Sequence, residues 1–188
     1  MSIFNEKPPY MSMPETTFVF KEWLKKLHKY LSTWRLSGTL TVTTSGTSVD
    51  FTGIPAGTRK ITLMYQGVST SGTSIPIIQL GDSGGIETAG YLGSGNVSTT
   101  PTTQTTGFGL TGATAAGSVF HGSSFLSLMD TATNLWVFSS VVGYSNAGGI
   151  GTGGGSKALT AELTQIRLTT VGGTDTFDAG SMNIMYEQ

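Results

Sequence analysis

From Leu36 to the C-terminus no stretch sustains a helical period; apolar residues return at every second position instead. Leu36, Leu40 and Val42 alternate with Ser37, Thr39 and Thr41, and Ile61, Leu63 and Tyr65 with Thr62, Met64 and Gln66. Leu135, Val137, Ser139 and Val141 oppose Trp136, Phe138, Ser140, Val142 and Tyr144, so one face of that segment is strongly aromatic. Met182, Ile184 and Tyr186 close the chain against Asn183, Met185 and Glu187. Successive side chains of a strand point to opposite faces, so this pattern calls for half-buried strands. Between Leu163 and Ile166 the apolar phase slips by one, which reads as a bulge. The separators are turn chemistry: Ser45-Gly46-Thr47, Ile54-Pro55-Ala56-Gly57, Gly81 to Gly85, Asn146 to Gly155 and Gly172-Gly173. Short alternating strands between glycine-rich turns predict a mainly β protein, an antiparallel β-sandwich or jelly roll. No repeat of fixed length is visible, which argues against a solenoid or propeller.

The first 35 residues are different. They hold six basic and three acidic side chains, whereas residues 36–188 hold four and eight. Met1–Pro14 contains Pro8, Pro9 and Pro14 and reads as an extended arm, because proline excludes helical geometry from its neighbours. After Glu15-Thr16-Thr17, which suit a helix start, Phe20, Leu24, Leu27, Leu31 and Trp34 recur at 4-3-4-3 spacing beside Trp23 and Tyr30. Lys21, Lys25, Lys26 and Lys29 take the opposite side, which completes one amphipathic helix. The expected organisation is therefore an arm and helix over 1–35 and a β-sandwich domain over 36–188. An apolar seam of two heptads on a helix this short is marginal alone, so Phe20, Trp23, Leu24, Leu27, Leu31 and Trp34 are the candidate oligomerisation and anchoring residues.

Composition narrows the function classes. Charged residues make up 11% of the chain and aromatics 10%, with a net charge of −1. Disordered chains show few aromatics and high net charge, so a folded domain is expected. There is no cysteine, which removes disulfides and thiolate metal sites. No apolar run approaches the roughly 18–20 residues of a membrane span, and MSIFNEKPPY lacks the pattern of a secretory signal. The expectation is synthesis in a reducing cytoplasm without membrane insertion. The sequence pI near 6.1 gives no basic footprint for nucleic acid.

Several strings resemble chemistry. Gly81-Asp82-Ser83-Gly84-Gly85 matches the nucleophile motif of chymotrypsin-like proteases and the looser G-x-S-x-G elbow. The protease order needs a His base upstream, where only His28 in the lysine-rich helix is available. The elbow needs a helix after the serine, and Gly90, Gly93 and Gly95 speak against one. A glycine-rich loop is the better reading. His28 and His121 have no carboxylate or histidine at ligand spacing, so no metal and no cofactor is expected. Gly151 to Ser156 before Lys157 lacks the Gly-Lys-Ser/Thr order of a phosphate loop. Paired carboxylates for glycan hydrolysis would have to come from eight scattered acids, so no catalytic residue is assigned. Thr99 to Thr106, Asn146 to Gly155 and Gly93 to Val97 read as loops, with Tyr91, Phe108 and Tyr144 as candidate surface recognition residues that could stack on a sugar.

One resemblance covers most of 36–188. Asp50-Phe51-Thr52-Gly53-Ile54-Pro55-Ala56-Gly57, Arg59-Lys60-Ile61-Thr62-Leu63-Met64-Tyr65, Gly67-Val68-Ser69, Ile78-Gln79-Leu80-Gly81-Asp82 and Glu87-Thr88-Ala89-Gly90-Tyr91 follow in order. Together they resemble a β-sandwich domain of structural proteins of tailed bacteriophages and prophages. Phe177-Asp178-Ala179-Gly180-Ser181-Met182-Asn183-Ile184, with Tyr186-Glu187, is similar to that family's final strand. The resemblance implies a non-enzymatic virion protein made in the host cytoplasm. The leading expectation is a short tail fibre or other virion-attached fibre that docks by its N-terminus and presents the sandwich. A capsid decoration, cement or head-fibre protein is the alternative, and a glycan-binding module or host-glycan hydrolase the second. Implied partners are further copies of itself, with a trimer suggested by the likeness to phage fibres, other tail or capsid proteins, and a host surface glycan.

Overall fold

The computed structural model describes residues 20–27, 34–36 and 40–188. The chain divides into two compact units between Arg35 and Leu36. In the first unit residues 20–27 are helical. Phe20 and Leu24 are exposed and Trp23 and Leu27 half-buried, while the rings of Phe20 and Trp23 stack at 6.0 Å. Lys25 and Glu22 pair across one turn at 2.6 Å. Trp34 corrects the expected seam: it opens a strand, β1 (Trp34–Leu36), so the helix does not carry it. Trp34 and Leu36 already alternate about Arg35, which is the strand period. Leu31, His28 and the arm over 1–14 lie outside the described residues.

The second unit is mainly β. Its strands are β2 (Thr41–Val42), β3 (Val49–Thr52), β4 (Lys60–Thr70), β5 (Pro76–Asp82), β6 (Gly85–Ile86), β7 (Leu92–Val97) and β8 (Thr100–Gln104). They continue as β9 (Phe108–Gly109), β10 (Phe120–Asp130), β11 (Leu135–Tyr144), β12 (Gly149–Ala158), β13 (Gln165–Thr170) and β14 (Phe177–Glu187). The larger sheet runs β14-β4-β10-β11-β12-β7-β8, with β2 also on β14. The smaller runs β3-β13-β5-β6, with β9 also on β5. Neighbours in these sequences pair antiparallel. One core lies between the sheets, joining Ile61, Leu63, Trp136, Phe138 and Ile184 of the larger to Phe51, Ile78, Leu80, Ile166 and Leu168 of the smaller. The architecture is an antiparallel β-sandwich.

The alternation in β11 settles its orientation. Trp136, Phe138, Val142 and Tyr144 point inward, and Val137, Ser139 and Val141 face out. A buried hydroxyl chain crosses β4, β10 and β11: Tyr65 Oη donates to Ser124 Oγ at 3.1 Å, and Ser124 Oγ to Ser140 Oγ at 2.9 Å. Burial raises the Tyr65 phenol far above its usual value, against the smaller opposing effect of Ser124. The phase slip near Leu163 is not a bulge. Leu163 precedes β13 and plugs the core from the connecting loop, and the strand starts a new phase at Gln165.

The expected loops at Gly93 to Val97 and Asn146 to Gly155 are corrected too, because most of their residues form β7 and β12. These strands pair with Gly93 opposite Gly155 and Gly95 opposite Gly153. The segment 107–112 is buried; it carries β9 on the edge of β5 and runs directly against the inner side of β7 and β12. A Cβ on Gly95 would run into the Thr111 carbonyl, and one on Gly153 into the Gly109 carbonyl. Glycine in a strand marks close backbone approach, and here main chain occupies the space side chains fill elsewhere. Thr100–Gln104 of the third expected loop is β8, which pairs with β7 at the sheet edge. Pro101 removes one N–H from that edge, which discourages addition of a further strand.

Candidate functional site

The Gly81–Gly85 string folds as the hairpin between β5 and β6, with Gly81 opposite Ile86 and Asp82 opposite Gly85. Ser83 sits exposed at its tip. Among the described residues its hydroxyl has no hydrogen-bond partner, and His121 is engaged elsewhere, its Nδ1 accepting the Gly67 N–H at 3.1 Å. No nucleophile–base pair forms between these two. Asp82, the string's acid, is buried and accepts from Thr160 Oγ1 at 2.6 Å and from the Gly84 N–H at 2.7 Å. Gln165 Nε2 donates to the Asp82 carbonyl at 2.9 Å.

Thr160 joins this carboxylate to a second one. Glu87 Oε1 accepts the Thr160 N–H at 2.9 Å, with Thr160 Oγ1 at 3.1 Å, while Glu87 Oε2 pairs with the buried Lys157 ammonium. Lys157 also donates to the Ala158 carbonyl at 2.8 Å and lies 5.6 Å from the centre of the Tyr91 ring. The Thr160 hydroxyl, followed by the Gly84 N–H, holds the Asp82 carboxyl below its ordinary value. Burial pushes Glu87 up, but Lys157 and Thr160 outweigh it and hold Glu87 below its usual range. A glycosidase acid must keep its proton near neutral pH, which requires a raised value. This pair is arranged the other way and works as a latch between β5–β6 and the end of β12.

The three residues expected at the surface are all internal. Tyr91 is 1% exposed, Phe108 0% and Tyr144 9%. Tyr91 Oη accepts the Leu80 N–H at 2.6 Å and donates to the Glu87 carbonyl at 2.9 Å, so its polar tip is satisfied inside. Its ring meets Phe108 edge-on at 4.9 Å, and Phe108 stacks on Phe138 at 4.7 Å. Tyr144 Oη donates to the Ala113 carbonyl at 3.0 Å. Aromatic area beside glycine-rich backbone is the largest apolar surface available there, so burial claims it.

On its outer side the larger sheet carries charge on β4 and β14, where Lys60 lies opposite Ser127 and Glu187 opposite Lys60, but none in the rows across β10, β11, β12 and β7. The register sets Ser127, Val137, Ser156 and Leu92 in one row, Phe125, Ser139, Gly154 and Ser94 in the next, and Ser123, Val141, Thr152 and Asn96 in a third. Phe125 is 42% exposed, Val141 57% and Leu92 74%. The smaller sheet differs: on its outer side Arg167 clamps Asp50 through two bonds of 2.7 Å. Single exposed apolar residues are ordinary; here Val137, Leu92, Phe125 and Val141 stand among small uncharged side chains over three rows. The signal was present in the sequence as the odd-numbered outward positions of β11, but only the register joins them to β10, β12 and β7.

Among the described residues no group of three His, Asp or Glu side chains is placed to hold a metal ion, and no helix is long and apolar enough to cross a membrane. Comparison with protein-family models, with curated proteins and with solved structures finds no match.

Proposed function

We propose that the chain is a non-enzymatic structural subunit of a bacteriophage virion, a short tail fibre or similar virion-attached fibre that docks through its N-terminal segment and assembles with copies of itself, as a trimer. The uncharged outer face of β10, β11, β12 and β7 carries this reading. Interface centres are depleted in charge, and this face offers none in three successive rows. Four strands at about 4.8 Å and the five residues these rows span at about 3.3 Å give roughly 300 Å² per copy, a part of the ~800 Å² each partner gives to a stable interface. The latching of Asp82 and Glu87 supports a role without turnover.

Immunogold labelling of virions from the phage or prophage that encodes the chain tests the placement. Label on the tail supports the fibre reading, label on the capsid moves the protein to the decoration class, and unlabelled virions beside abundant free protein overturn both. Sedimentation of the purified chain tests the face. Val141→Lys is expected to turn an oligomer into a monomer without loss of the β spectrum; an unchanged sedimentation coefficient would remove the face from the interface.

A further inference from the structure

At one end of the sandwich a cleft of about 300 Å³ is lined by Gly57, Thr58, Arg59, Leu128, Thr131, Asn134, Trp136, Glu162 and Leu163. Its rim is built by turns from both sheets. Asp130 accepts the Ala132 N–H at 2.9 Å and the Thr133 hydroxyl at 2.7 Å, and Asn134 takes a positive φ of 49°, which asparagine tolerates. Opposite, Glu162 Oε1 accepts the Gly57 N–H at 2.6 Å, which pins that carboxylate and leaves its second oxygen uncommitted.

The polar groups here are unusual for being unspent. Among the described residues the Arg59 guanidinium, the Asn134 amide and the Thr131 hydroxyl have no hydrogen-bond partner. Trp136 is 2% exposed and its indole N–H has no acceptor among the described residues either. It is not sealed, because the enclosed side-chain polar atoms without partners are Asn96 Oδ1 and Thr170 Oγ1. The N–H therefore keeps contact with water, and the cleft is the opening that Trp136 lines. Four donors of differing geometry, one carboxylate acceptor and two leucine walls converge on a volume at the low end of ligand pockets, about 300–1,000 Å³.

We propose that this cleft binds one pyranose ring of a neutral glycan. Vicinal hydroxyls both donate and accept: they can donate to the free oxygen of Glu162 and accept from Arg59, Asn134 and the Trp136 N–H. A bare anion would meet the Glu162 carboxylate at close range, and a bare cation the Arg59 guanidinium, so a neutral polyhydroxy ligand satisfies the set best. The cleft shares no residue with the uncharged sheet face, and variants of one leave the other readable.

Saturation-transfer NMR on the full chain, with D-glucose, D-galactose, N-acetyl-D-glucosamine and L-rhamnose offered singly and sodium sulfate in competition, tests it. At least one sugar is expected to bind with a millimolar or tighter Kd, unaffected by sulfate, and Arg59→Ala and Glu162→Gln should each weaken it at least tenfold. Both positions are exposed, and glutamine keeps a carbonyl for the Gly57 N–H, so unchanged melting temperatures are expected alongside. Four sugars that fail to bind, binding indifferent to both substitutions, or displacement by sulfate would each overturn the assignment. Loss of sugar binding in a chain that still oligomerises would affect this inference alone.

Discussion

The two halves of the larger sheet fill the same interior by opposite means. Across β4, β10 and β11 the space belongs to side chains, among them Leu63, Phe120, Leu126, Trp136 and Phe138. Across β12 and β7 the inward positions Gly151, Gly153, Gly155 and Gly95 carry none, and the buried segment 107–112 takes the volume, with its backbone at Gly95 and Gly153 and with the Thr111 and Phe108 side chains at Gly151 and Gly155. The difference teaches that a glycine-rich strand can be as tightly specified as an aromatic one. Its tolerance to change is lower, because a side chain can move to another rotamer and a carbonyl held in a sheet cannot.

The sharpest way to break the comparison is Gly153→Val beside Gly154→Ala. Gly153 faces the Gly109 carbonyl, whereas a Cβ on Gly154 would meet only the Phe138 carbonyl at 3.8 Å. The first substitution is expected to cost about 5 kcal/mol, enough to leave little folded protein, and the second under about 0.5 kcal/mol. Urea denaturation reads both, and equal losses would mean that the segment 107–112 is free to withdraw. In the aromatic half, Phe138→Ala should cost about 4 kcal/mol by the same measurement, since it removes the ring on which Phe108 stacks. A loss below about 2 kcal/mol would show that the glycine half collapses into the cavity.

Lys157 is the long side chain that the glycine half turns inward, opposite Trp136. Lys157→Ala strands the Glu87 carboxylate and should cost about 3 kcal/mol. Lys157→Met with Glu87→Gln should recover most of that loss if the pair acts through charge rather than shape. The smallest effect is that of acid. Asp82 and Glu87 are both held below their ordinary values in the folded chain. Their stabilisation is therefore complete above the usual carboxylate range of about 4 and lost as the pH falls through the folded values. Calorimetry should show the melting temperature falling by a few degrees between pH 5 and pH 3, and by less in Thr160→Val, which lacks the bridging hydroxyl. An equal fall in both proteins would place the acid sensitivity elsewhere.

Much of the sandwich was legible in the sequence because period-two alternation reports a local fact: which residues of one strand share a face. That pattern put Ile61 with Leu63, Trp136 with Phe138 and Met182 with Ile184 on shared faces, and the structure turns those faces into the core. It also read the GDSGG string as a turn, since no helix could follow it. The alternation could not mark β7 and β12 as strands, because glycine leaves no apolar trace at the inward positions. Tyr91, Phe108 and Tyr144 were misplaced for the same reason: aromatic residues beside glycine and threonine look like loop contacts until the other sheet is laid over them.

The sequence by itself determined the change of character near Arg35, the strand-forming alternation and the scarcity of charge, all properties of single residues and their near neighbours. Tertiary structure alone decided the rest. The latch joins Asp82 and Glu87 to Lys157 and Thr160 across some seventy residues of chain. The cleft gathers Arg59, Asn134 with Trp136 at the start of β11, and Glu162 from three distant parts of the chain. The uncharged face exists only where four strands fall into register. Hydrogen bonds and packing act over a few ångströms in space, and sequence distance does not measure that.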